Sequence, residues 1–291
     1  MFGFRPDGRR VRKGIDPIIL FTPYIMPTRN DAQVFISTQL DYETMSAYIR
    51  KHKGSEHPIS FMTILIAAYV QTVDKYPLFN RFIINKQLFM RNEIVVSFAA
   101  LRQEEDGTIN EALVKLHCDP EDTIFDIARK MDEALAEARK PQGKNGTIAF
   151  ARAALSLPGL PNVVVGLARL LDRYGLLPKA IIEVSPFHCS LFITNMASLG
   201  MPSVYHHLYN FGSTTVFWSL GKPERSAQPG WNGSGSKRNI VPCGIVIDER
   251  VCSGEEYARG FQHLQSLIRN PEALETPYGQ APASELPAAG R

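Results

Sequence analysis

The sequence is poor in cysteine and lacks the arrangements in which cysteine builds a site. Its four cysteines, Cys118, Cys189, Cys243 and Cys252, lie far apart and form no C-x-x-C pair. This spacing argues against a disulfide framework and against a zinc site. We therefore expect the cysteines to be small buried apolar residues and predict no metal site.

The sequence also has little net charge. Its 32 Lys and Arg residues against 29 Asp and Glu residues leave a formal net charge of +3, and no long basic block is interleaved with aromatic residues. Both features argue against a nucleic-acid partner. The N-terminus has no apolar run followed by a small-residue cleavage site, so no signal peptide is predicted and a cytoplasmic location is the default expectation.

What the chain does have is the composition of a globular protein. Of its 291 residues, 44% are hydrophobic and 21% are charged, values typical of a chain with a full apolar core. Residues 1–30 are basic and then apolar, and we predict an arm that packs on the body. Residues 31–275 are predicted to form the main domain, and the Gly, Pro and Ala of residues 276–291 predict a disordered tail.

Apolar periodicity and capping residues predict several elements of this domain. Residues 32–40 are typical of a strand, and Asp41 is placed to cap the helix that follows. A second helix is predicted from Phe61 until Pro77 stops it. Asp119, followed by a proline and two acids, predicts the start of another helix, and residues 223–238 predict a long exposed hairpin loop.

Residues 147–182 are unusually apolar. A transmembrane helix needs about 20 apolar residues in line, but prolines and charged residues such as Pro158 and Asp172 interrupt this run. We therefore predict a helical insertion of two buried or half-buried helices. Peripheral contact with a membrane surface is an alternative for the same segment.

The most informative stretch is residues 245–254, which predicts a buried strand, a tight polar turn and the start of a helix. It resembles the signature of the chloramphenicol acetyltransferase-like superfamily, which includes the catalytic domains of the 2-oxo acid dehydrogenase dihydrolipoyl acyltransferases. Those proteins carry His-x-x-x-Asp-Gly, commonly as Asp-His-Arg-Val-x-Asp-Gly. Asp248, Arg250, Val251 and Gly254 match, but Glu249 replaces the histidine and Ser253 replaces the aspartate.

Two other blocks are similar to this superfamily and occur in the matching order. The helix before Pro77 and the turn from Tyr76 to Phe82 are the first block. Residues 190–200 look like the acyltransferases' Phe-Thr-Ile-Ser-Asn-Leu-Gly, and Thr194 falls on the serine whose hydroxyl supports the oxyanion there. Thr194 is thus the first oxyanion candidate, with Ser190 behind it, although a β-branched residue also simply suits a strand.

The resemblance implies an α/β fold in which helices flank a mixed sheet. It also implies a homotrimer, or a higher assembly of trimers, with active sites between subunits. Its reaction is acyl transfer from a coenzyme A or other acyl thioester, which would bind as substrate, with no covalently bound cofactor. No lipoyl domain precedes the domain, so we do not expect a complete core subunit of a dehydrogenase complex.

The exchange of His for Glu249 affects the chemistry directly. A general base works best with a pKa near 7. An ordinary glutamate has a pKa of about 4.3 and a thiol has a pKa of about 8.5, so proton transfer from the thiol to the glutamate costs about 5 to 6 kcal/mol. Burial can raise the pKa of the glutamate and reduce this cost. We therefore interpret the chain as an acyltransferase-family pseudoenzyme, with lost or reduced transfer and a role in binding or assembly.

Two other interpretations remain open. Glu249 itself, or one of the histidines His188, His206 and His207 near the hydroxyl-bearing block, can serve as base in an active acyltransferase. The chain can instead be a scaffold or membrane-peripheral protein that uses residues 147–182. For Ser253, a capping box with Glu256 is a sufficient structural account and is preferred to a catalytic role.

Overall fold

The computed structural model describes residues 4–103, 107–140, 158–228 and 236–279. These residues form seven α-helices and eleven strands. The helices are α1 (Pro17–Ile25), α2 (Tyr42–Lys51), α3 (Phe61–Lys75), α4 (Ile124–Arg139), α5 (Leu160–Tyr174), α6 (Lys179–Val184) and α7 (Gly254–Arg269). The strands are β1 (Phe4–Arg5), β2 (Gly8–Arg10), β3 (Gln33–Asp41), β4 (Arg81–Ile84), β5 (Gln87–Arg91), β6 (Ile94–Gln103), β7 (Ile109–Cys118), β8 (Leu191–Asn195), β9 (Val216–Leu220), β10 (Glu224–Gln228) and β11 (Ser236–Asp248).

The larger sheet has seven strands in the order β10-β11-β9-β8-β6-β7, and β3 pairs with the opposite side of β11. Strands β6, β8 and β9 are parallel to one another, whereas the pairs β6–β7, β9–β11, β10–β11 and β3–β11 are antiparallel. The parallel connection from β6 to β8 requires a long crossover, and it runs through β7 and the helices α4 to α6. The predicted mixed sheet flanked by helices is therefore confirmed.

The two faces of this sheet are buried unequally. Side chains alternate between faces along a strand, so Ile245 and Ile247 join the main core with the helices while Val246 points the other way. The main core includes most buried residues of α3, α4 and α7, together with Trp218 of β9. The second face carries a smaller cluster around Phe192, Phe217 and Val246.

Helices α3 and α7 hold the core against the sheet. Helix α3 begins at a capping box in which Ser60 and Thr63 exchange side-chain and backbone hydrogen bonds, and Pro77 follows its end as predicted. In α7, a Cβ added to Gly260 would stand 2.0 Å from Cε2 of Phe79. The two elements approach so closely there that only glycine fits.

Local capping decides where the helices begin, and it was predicted correctly in one case and wrongly in another. Asp41 caps α2 by accepting hydrogen bonds from the amides of Glu43 and Thr44. The helix predicted at Asp119 begins instead at Ile124, where Thr123 and Asp126 form a capping box. Residues 119–122 form a separate turn because the Asp119 amide donates to Asp122 Oδ2 at 2.8 Å.

The ends of the chain are bound into the fold as far as they are described. Strands β1 and β2 extend a four-stranded sheet in the order β1-β2-β5-β4. The predicted hairpin loop of residues 223–238 is largely paired strand, with Glu224 opposite Ile240 and Gln228 opposite Ser236; its Gly-rich residues 229–235 lie outside the described residues. Of the predicted disordered tail, residues 280–291 lie outside them as well, whereas the Thr276 carbonyl accepts a hydrogen bond from Gln71 Nε2 at 2.8 Å.

The apolar segment of residues 147–182 forms the two helices α5 and α6 in its described part, from residue 158 onward. The prediction that its apolar side chains are buried is wrong for α5. Its Val163 is 66% exposed and its Leu167 is 54% exposed, whereas the charged Asp172 is buried. No helix within the described ranges is long and apolar enough to cross a membrane.

Candidate functional site

The turn between β11 and α7 borders a cavity with a volume of 830 Å³. Aliphatic and aromatic side chains of α1, β3, β11 and α7 make up most of its walls. The lining residues are Asp16, Ile18, Ile19, Thr22, Met26, Val34, Ile36, Thr38, Ile245, Ile247, Glu249, Cys252, Ser253, Gly254, Tyr257, Ala258, Phe261 and Gln265. We call this space the apolar cavity.

Glu249 is the carboxylate that the turn presents to the apolar cavity. Its backbone amide donates to the carbonyl oxygen of Ala32 at 3.0 Å, which ties the turn to the start of β3. Its side chain is exposed in the single chain and makes no hydrogen bond or ion pair with the described residues. The structure therefore places this predicted residue at a cavity wall, accessible to a ligand.

The residues on either side of Glu249 have a different role. Arg250 donates from Nε to Oδ1 and from Nη2 to Oδ2 of Asp248, both at 2.7 Å, and both residues are buried. Charge-assisted bidentate pairs of this kind fix geometry as well as charge. The two members of the pair are thus buried, whereas the side chain of Glu249 between them is exposed.

A second arginine, Arg29, reaches the same carboxylate. Its Nε lies 3.5 Å from Asp248 Oδ2, and its other nitrogens donate to the carbonyl oxygens of Tyr209, Gly212 and Ile83. Burial lowers the pKa of Arg29 to about 10, although the negative charge of Asp248 opposes the shift. Two buried guanidinium groups thus share one buried carboxylate directly beneath the turn.

Ser253 caps α7, as the capping-box interpretation predicted. The Glu256 amide donates to Ser253 Oγ at 3.2 Å, and Glu256 Oε2 accepts from the Ser253 amide at 2.8 Å. The hydroxyl also lines the apolar cavity, but its hydrogen bonds to Glu256 account for its presence. Capping of α7 therefore explains Ser253 without a catalytic role.

Thr194 does not lie at the apolar cavity of its own chain. On β8 the residues Leu191 and Ile193 face the main core, and Phe192 faces the second side of the sheet. The alternation puts Thr194 on that second side, opposite the face on which Ile245 and Ile247 line the cavity. Its Oγ1 donates weakly to Met196 Sδ at 3.7 Å. Within one chain, Thr194 and Glu249 are therefore on opposite sides of the sheet.

Ser190, the second oxyanion candidate, is held in the interior. Its hydroxyl donates to Asn80 Oδ1 at 2.5 Å and accepts from the amide of Val95 at 3.1 Å. Asn80 in turn donates to the carbonyl oxygen of Glu93 at 3.1 Å. These bonds join two of the sequence blocks that resemble the superfamily, so their residues have a structural reason to occur together.

His206 and His207 lie on the same side of the sheet as Thr194. The His206 ring stacks on Phe217, with ring centroids 4.1 Å apart and planes 5° apart, and stacks on His207 at 4.6 Å. The backbone amide of Val204, in the same segment, donates to Ser219 Oγ, and Ser219 is opposite Thr194 across β8 and β9. The structure thus brings these histidines toward Thr194's side and away from Glu249.

His188 is a structural residue. The residue is 1% exposed, its Nδ1 lies 2.7 Å from Ser185 Oγ and its Nε2 lies 3.4 Å from Asp172 Oδ1. Arg5 donates from Nη2 to the same Asp172 oxygen at 2.7 Å. Burial alone would raise the pKa of Asp172, but the His188 hydrogen bond and the Arg5 charge outweigh it and lower that pKa. His188 therefore anchors α5 and does not face the apolar cavity.

The four cysteines are buried and unpaired, as predicted. Burial raises the pKa of the Cys243 thiol to about 12 and also raises that of the Cys252 thiol. Cys252 lines the apolar cavity, but a thiol with a raised pKa is a poor nucleophile. Within the described ranges no cluster of His, Cys, Asp and Glu is arranged to hold a metal ion.

Sequence reasoning missed Asp248 and Arg250 as a buried pair, Arg29 as their third member, and α1 as a cavity wall. The first two were recognised only as matches to a signature. Asp248 and Arg250 carry opposite charges two positions apart, on either side of Glu249, and this spacing was a local signal that could have revealed the pair. Arg29 gave no such signal, because its contacts are with residues more than 50 positions away along the chain.

Comparison with known proteins agrees with this architecture. No protein-family model matches the sequence, and no curated protein is significantly similar to it. Solved structures do match. A probable dihydrolipoamide acetyltransferase from Listeria monocytogenes is 13% identical with a TM-score of 0.54, over 93% of this chain and 97% of that chain.

Two further structures have the same fold. The dihydrolipoamide acetyltransferase of Azotobacter vinelandii is 15% identical with a TM-score of 0.55, over 88% of each chain. A chloramphenicol acetyltransferase is 12% identical with a TM-score of 0.51, over 90% of this chain and 99% of that chain. The chain therefore has the chloramphenicol acetyltransferase-like fold that its motifs indicated.

Proposed function

We propose that this protein binds acyl thioesters, with coenzyme A as the carrier, and that acyl transfer in it is lost or much reduced. The observation that carries the proposal is the apolar cavity of 830 Å³ with Glu249 at its wall. Ligand sites are mostly apolar spaces of about 300 to 1,000 Å³ with a few placed polar groups. An acyl chain suits the walls formed by α1, β3 and α7.

The polar groups of the cavity favour binding over catalysis. Glu249 occupies the position of the superfamily's histidine, and its side chain is not buried in the single chain. Ser253 is committed to capping α7. Removing a general base costs about 10²- to 10⁴-fold in rate, so a slow residual transfer is compatible with the proposal.

Thioester release from a panel of acyl-coenzyme A compounds tests the proposal, with the wild type compared with Glu249→Gln and Glu249→His. We expect little release by the wild type, an unchanged rate for Glu249→Gln and a gain for Glu249→His. Direct binding of the same compounds is measured in parallel. Wild-type turnover that disappears in Glu249→Gln would show that Glu249 is an active base, which is the alternative function.

We further propose that the protein works as a homotrimer or an assembly of trimers. The support is the separation of Thr194 and Glu249 by the sheet, since one chain alone does not bring the oxyanion candidate to the cavity. Strand β3 is also at the edge of the sheet, and Phe35 on it is 56% exposed. A neighbouring subunit could place its own Thr194 near Glu249.

Cysteine cross-linking tests this arrangement. In the double variant Glu249→Cys with Thr194→Cys, mild oxidation is expected to give disulfide-linked oligomers on a non-reducing gel. Each single variant is the matched control and should stay monomeric on that gel, because the native cysteines are buried. A monomeric mass by light scattering, with no cross-link in the double variant, would contradict the trimer.

A second candidate function, that of a scaffold or membrane-peripheral protein, is favoured by one observation. Side chains spaced three or four residues apart share one face of a helix, and on α5 such a face is apolar and exposed. It consists of Val163, Val164, Leu167, Leu170 and Tyr174. Exposed apolar surfaces of this kind mark interaction sites.

Binding measurements separate the two forms of this candidate. Val163→Glu with Leu167→Glu removes the apolar character of α5 without entering the core. If a bilayer covers α5, the wild type but not the variant should sediment with phosphatidylserine-containing vesicles. If another protein copy covers it, the variant should lower the oligomeric mass instead. Neither effect would be expected if α5 has no partner.

A further inference from the structure

On the other side of the turn from the apolar cavity lies a second cavity, of 390 Å³, lined by five basic residues and one acidic residue. The basic residues are Arg29, Lys86, Arg169, Arg173 and Arg250, and the acidic residue is Asp172. We call this space the cationic pocket. Its walls come from β4, the β4–β5 turn, α5 and the segment before β3.

The carboxylates deep in the cationic pocket are already engaged by buried cations. Asp248 neutralises Arg250 through the bidentate pair and also approaches Arg29. Asp172 is bound by Arg5 and His188. No carboxylate that lines the pocket is left to balance the remaining basic residues.

Three basic residues at the rim have no carboxylate partner within the described ranges. Lys86 lies 5.3 Å from the centre of the Tyr24 ring, and Arg173 donates from Nε to Asn85 Oδ1 at 2.9 Å. Arg169 makes no hydrogen bond or ion pair with the described residues, and all three side chains are exposed. A concave site with several unpaired cations concentrates anions from solution.

The interior also contains an unsatisfied donor. Arg29 is 3% exposed, yet its Nε has no hydrogen-bond partner and only the long 3.5 Å approach to Asp248. Buried donors are nearly always paired. Arg29 lines the pocket and shares the single carboxylate of Asp248 with Arg250, so a net positive charge is left that attracts an anion.

From these observations we propose that the cationic pocket binds a phosphate-bearing ligand. Arginine forks match the oxygens of a phosphate group and donate to two of them at once. Arg169 and Arg173, one turn apart on α5, would supply such forks at the rim, and Lys86 would supply a further charge. Two sources share this chemistry: free phosphate or pyrophosphate, and the nucleotide end of coenzyme A.

The cationic pocket lies next to the apolar cavity. Arg250 donates from Nη1 to the carbonyl oxygen of Met26 at 3.1 Å, and this contact divides the two spaces. Met26 and Glu249 line the apolar cavity, whereas Arg29 and Arg250 line the cationic pocket. The assignment to coenzyme A rests on the proposed function, while phosphate binding itself does not.

Calorimetric titration in phosphate-free buffer tests the proposal on the full chain, with pyrophosphate, 3′,5′-ADP and pantetheine as separate ligands. We expect pyrophosphate and 3′,5′-ADP to bind, more weakly as the salt concentration rises. Arg169→Gln with Arg173→Gln should weaken both by about tenfold or more, the effect of losing about 1.4 kcal/mol. Arg129→Gln with Arg139→Gln makes the same change in charge on α4 and should leave both unchanged.

The remaining outcomes are equally specific. Tighter binding of 3′,5′-ADP than of pyrophosphate supports coenzyme A as the source, and equal binding supports free phosphate. Pantetheine has no phosphate, so its failure to bind while pyrophosphate binds would count against the proposed function and not against this pocket. No pyrophosphate binding at millimolar concentration, or equal losses in the α4 and α5 variants, would overturn the proposal.

Discussion

Asp248 and Arg250 form a buried bidentate ion pair across Glu249, with both nitrogen to oxygen distances at 2.7 Å. Arg29 approaches the same carboxylate from a segment more than 200 residues away along the chain. The carboxylate therefore holds together the turn that presents Glu249 and the segment leading into β3. Its loss would leave two guanidinium groups buried without a counter-charge.

Asp248→Ala should therefore lower the free energy of unfolding by about 3 to 5 kcal/mol, the usual cost of removing one partner of a buried pair. Urea denaturation measures the change. Glu255→Gln is the matched control, because Glu255 pairs with Arg259 on the exposed surface of α7 and should cost about 0.5 kcal/mol or less. Equal effects of the two substitutions would contradict the role assigned to Asp248.

Two glycines in helices should respond to alanine in opposite directions. In α7 a Cβ at position 260 would stand 2.0 Å from the Phe79 ring, so Gly260→Ala should destabilise the protein by about 1 to 3 kcal/mol. In α5 a Cβ at position 166 meets nothing within 4 Å. Gly166→Ala should therefore stabilise it by about 0.5 to 1 kcal/mol through helix propensity. Thermal and urea unfolding of both variants provide the comparison, and a shared direction of change would refute it.

Filling the apolar cavity should reduce the affinity for long acyl chains in particular. Ala258 lines the cavity from an exposed position on α7, so Ala258→Phe adds a ring there without disturbing the core. In the wild type each buried methylene should add about 0.8 kcal/mol to binding of acyl-coenzyme A; in the variant this increment should disappear as chains lengthen. Ala136→Phe, on the exposed side of α4, is the control. A uniform loss for all chain lengths would mean that the acyl group lies elsewhere.

The acid stability of the protein should depend on His263. Burial, and then the nearby charge of Lys75, lowers the pKa of His263 to about 4, against about 6.5 in an unfolded chain. Between these values the unfolded chain binds more protons, so stability is complete above about pH 6.5 and declines as the pH falls toward 4. In His263→Phe the loss of stability between these pH values should be smaller. Urea midpoints at several pH values measure it. His207→Gln, at the surface, is the control and should keep the wild-type dependence of stability on pH. The same dependence in both variants would contradict the prediction.

The parts of the fold that could be predicted from sequence are those fixed by neighbouring residues. Asp41 as a helix cap, Ser253 with Glu256 as a capping box and Pro77 as a stop all depend on contacts within a few positions. The failure at Asp119 was also local: Asp122 bonds back to the Asp119 amide, and Thr123 competes successfully as the cap. Both sites offered a capping side chain, and the sequence alone did not rank them.

The candidate site could be predicted only in part, because its geometry depends on distant segments. The strand, turn and helix around Glu249 were correct. The side of the sheet on which Thr194 lies follows from which face of β8 packs against the main core. The burial of Arg29 follows from contacts with Ile83, Tyr209 and Gly212. The outward apolar face of α5 was missed because apolar periodicity predicts a buried face and carries no information about which face meets the core.

The buried contact between Arg5 and Asp172 ties a residue near the start of the chain to a helix 167 positions later. Helix α5 turns its apolar side chains outward, so this charged contact and His188 account for much of its attachment. A tag fused close to Arg5, or proteolytic trimming past it, would consequently release a helix in the middle of the sequence. The integrity of the first few residues is thus a condition for any measurement on the α5 surface.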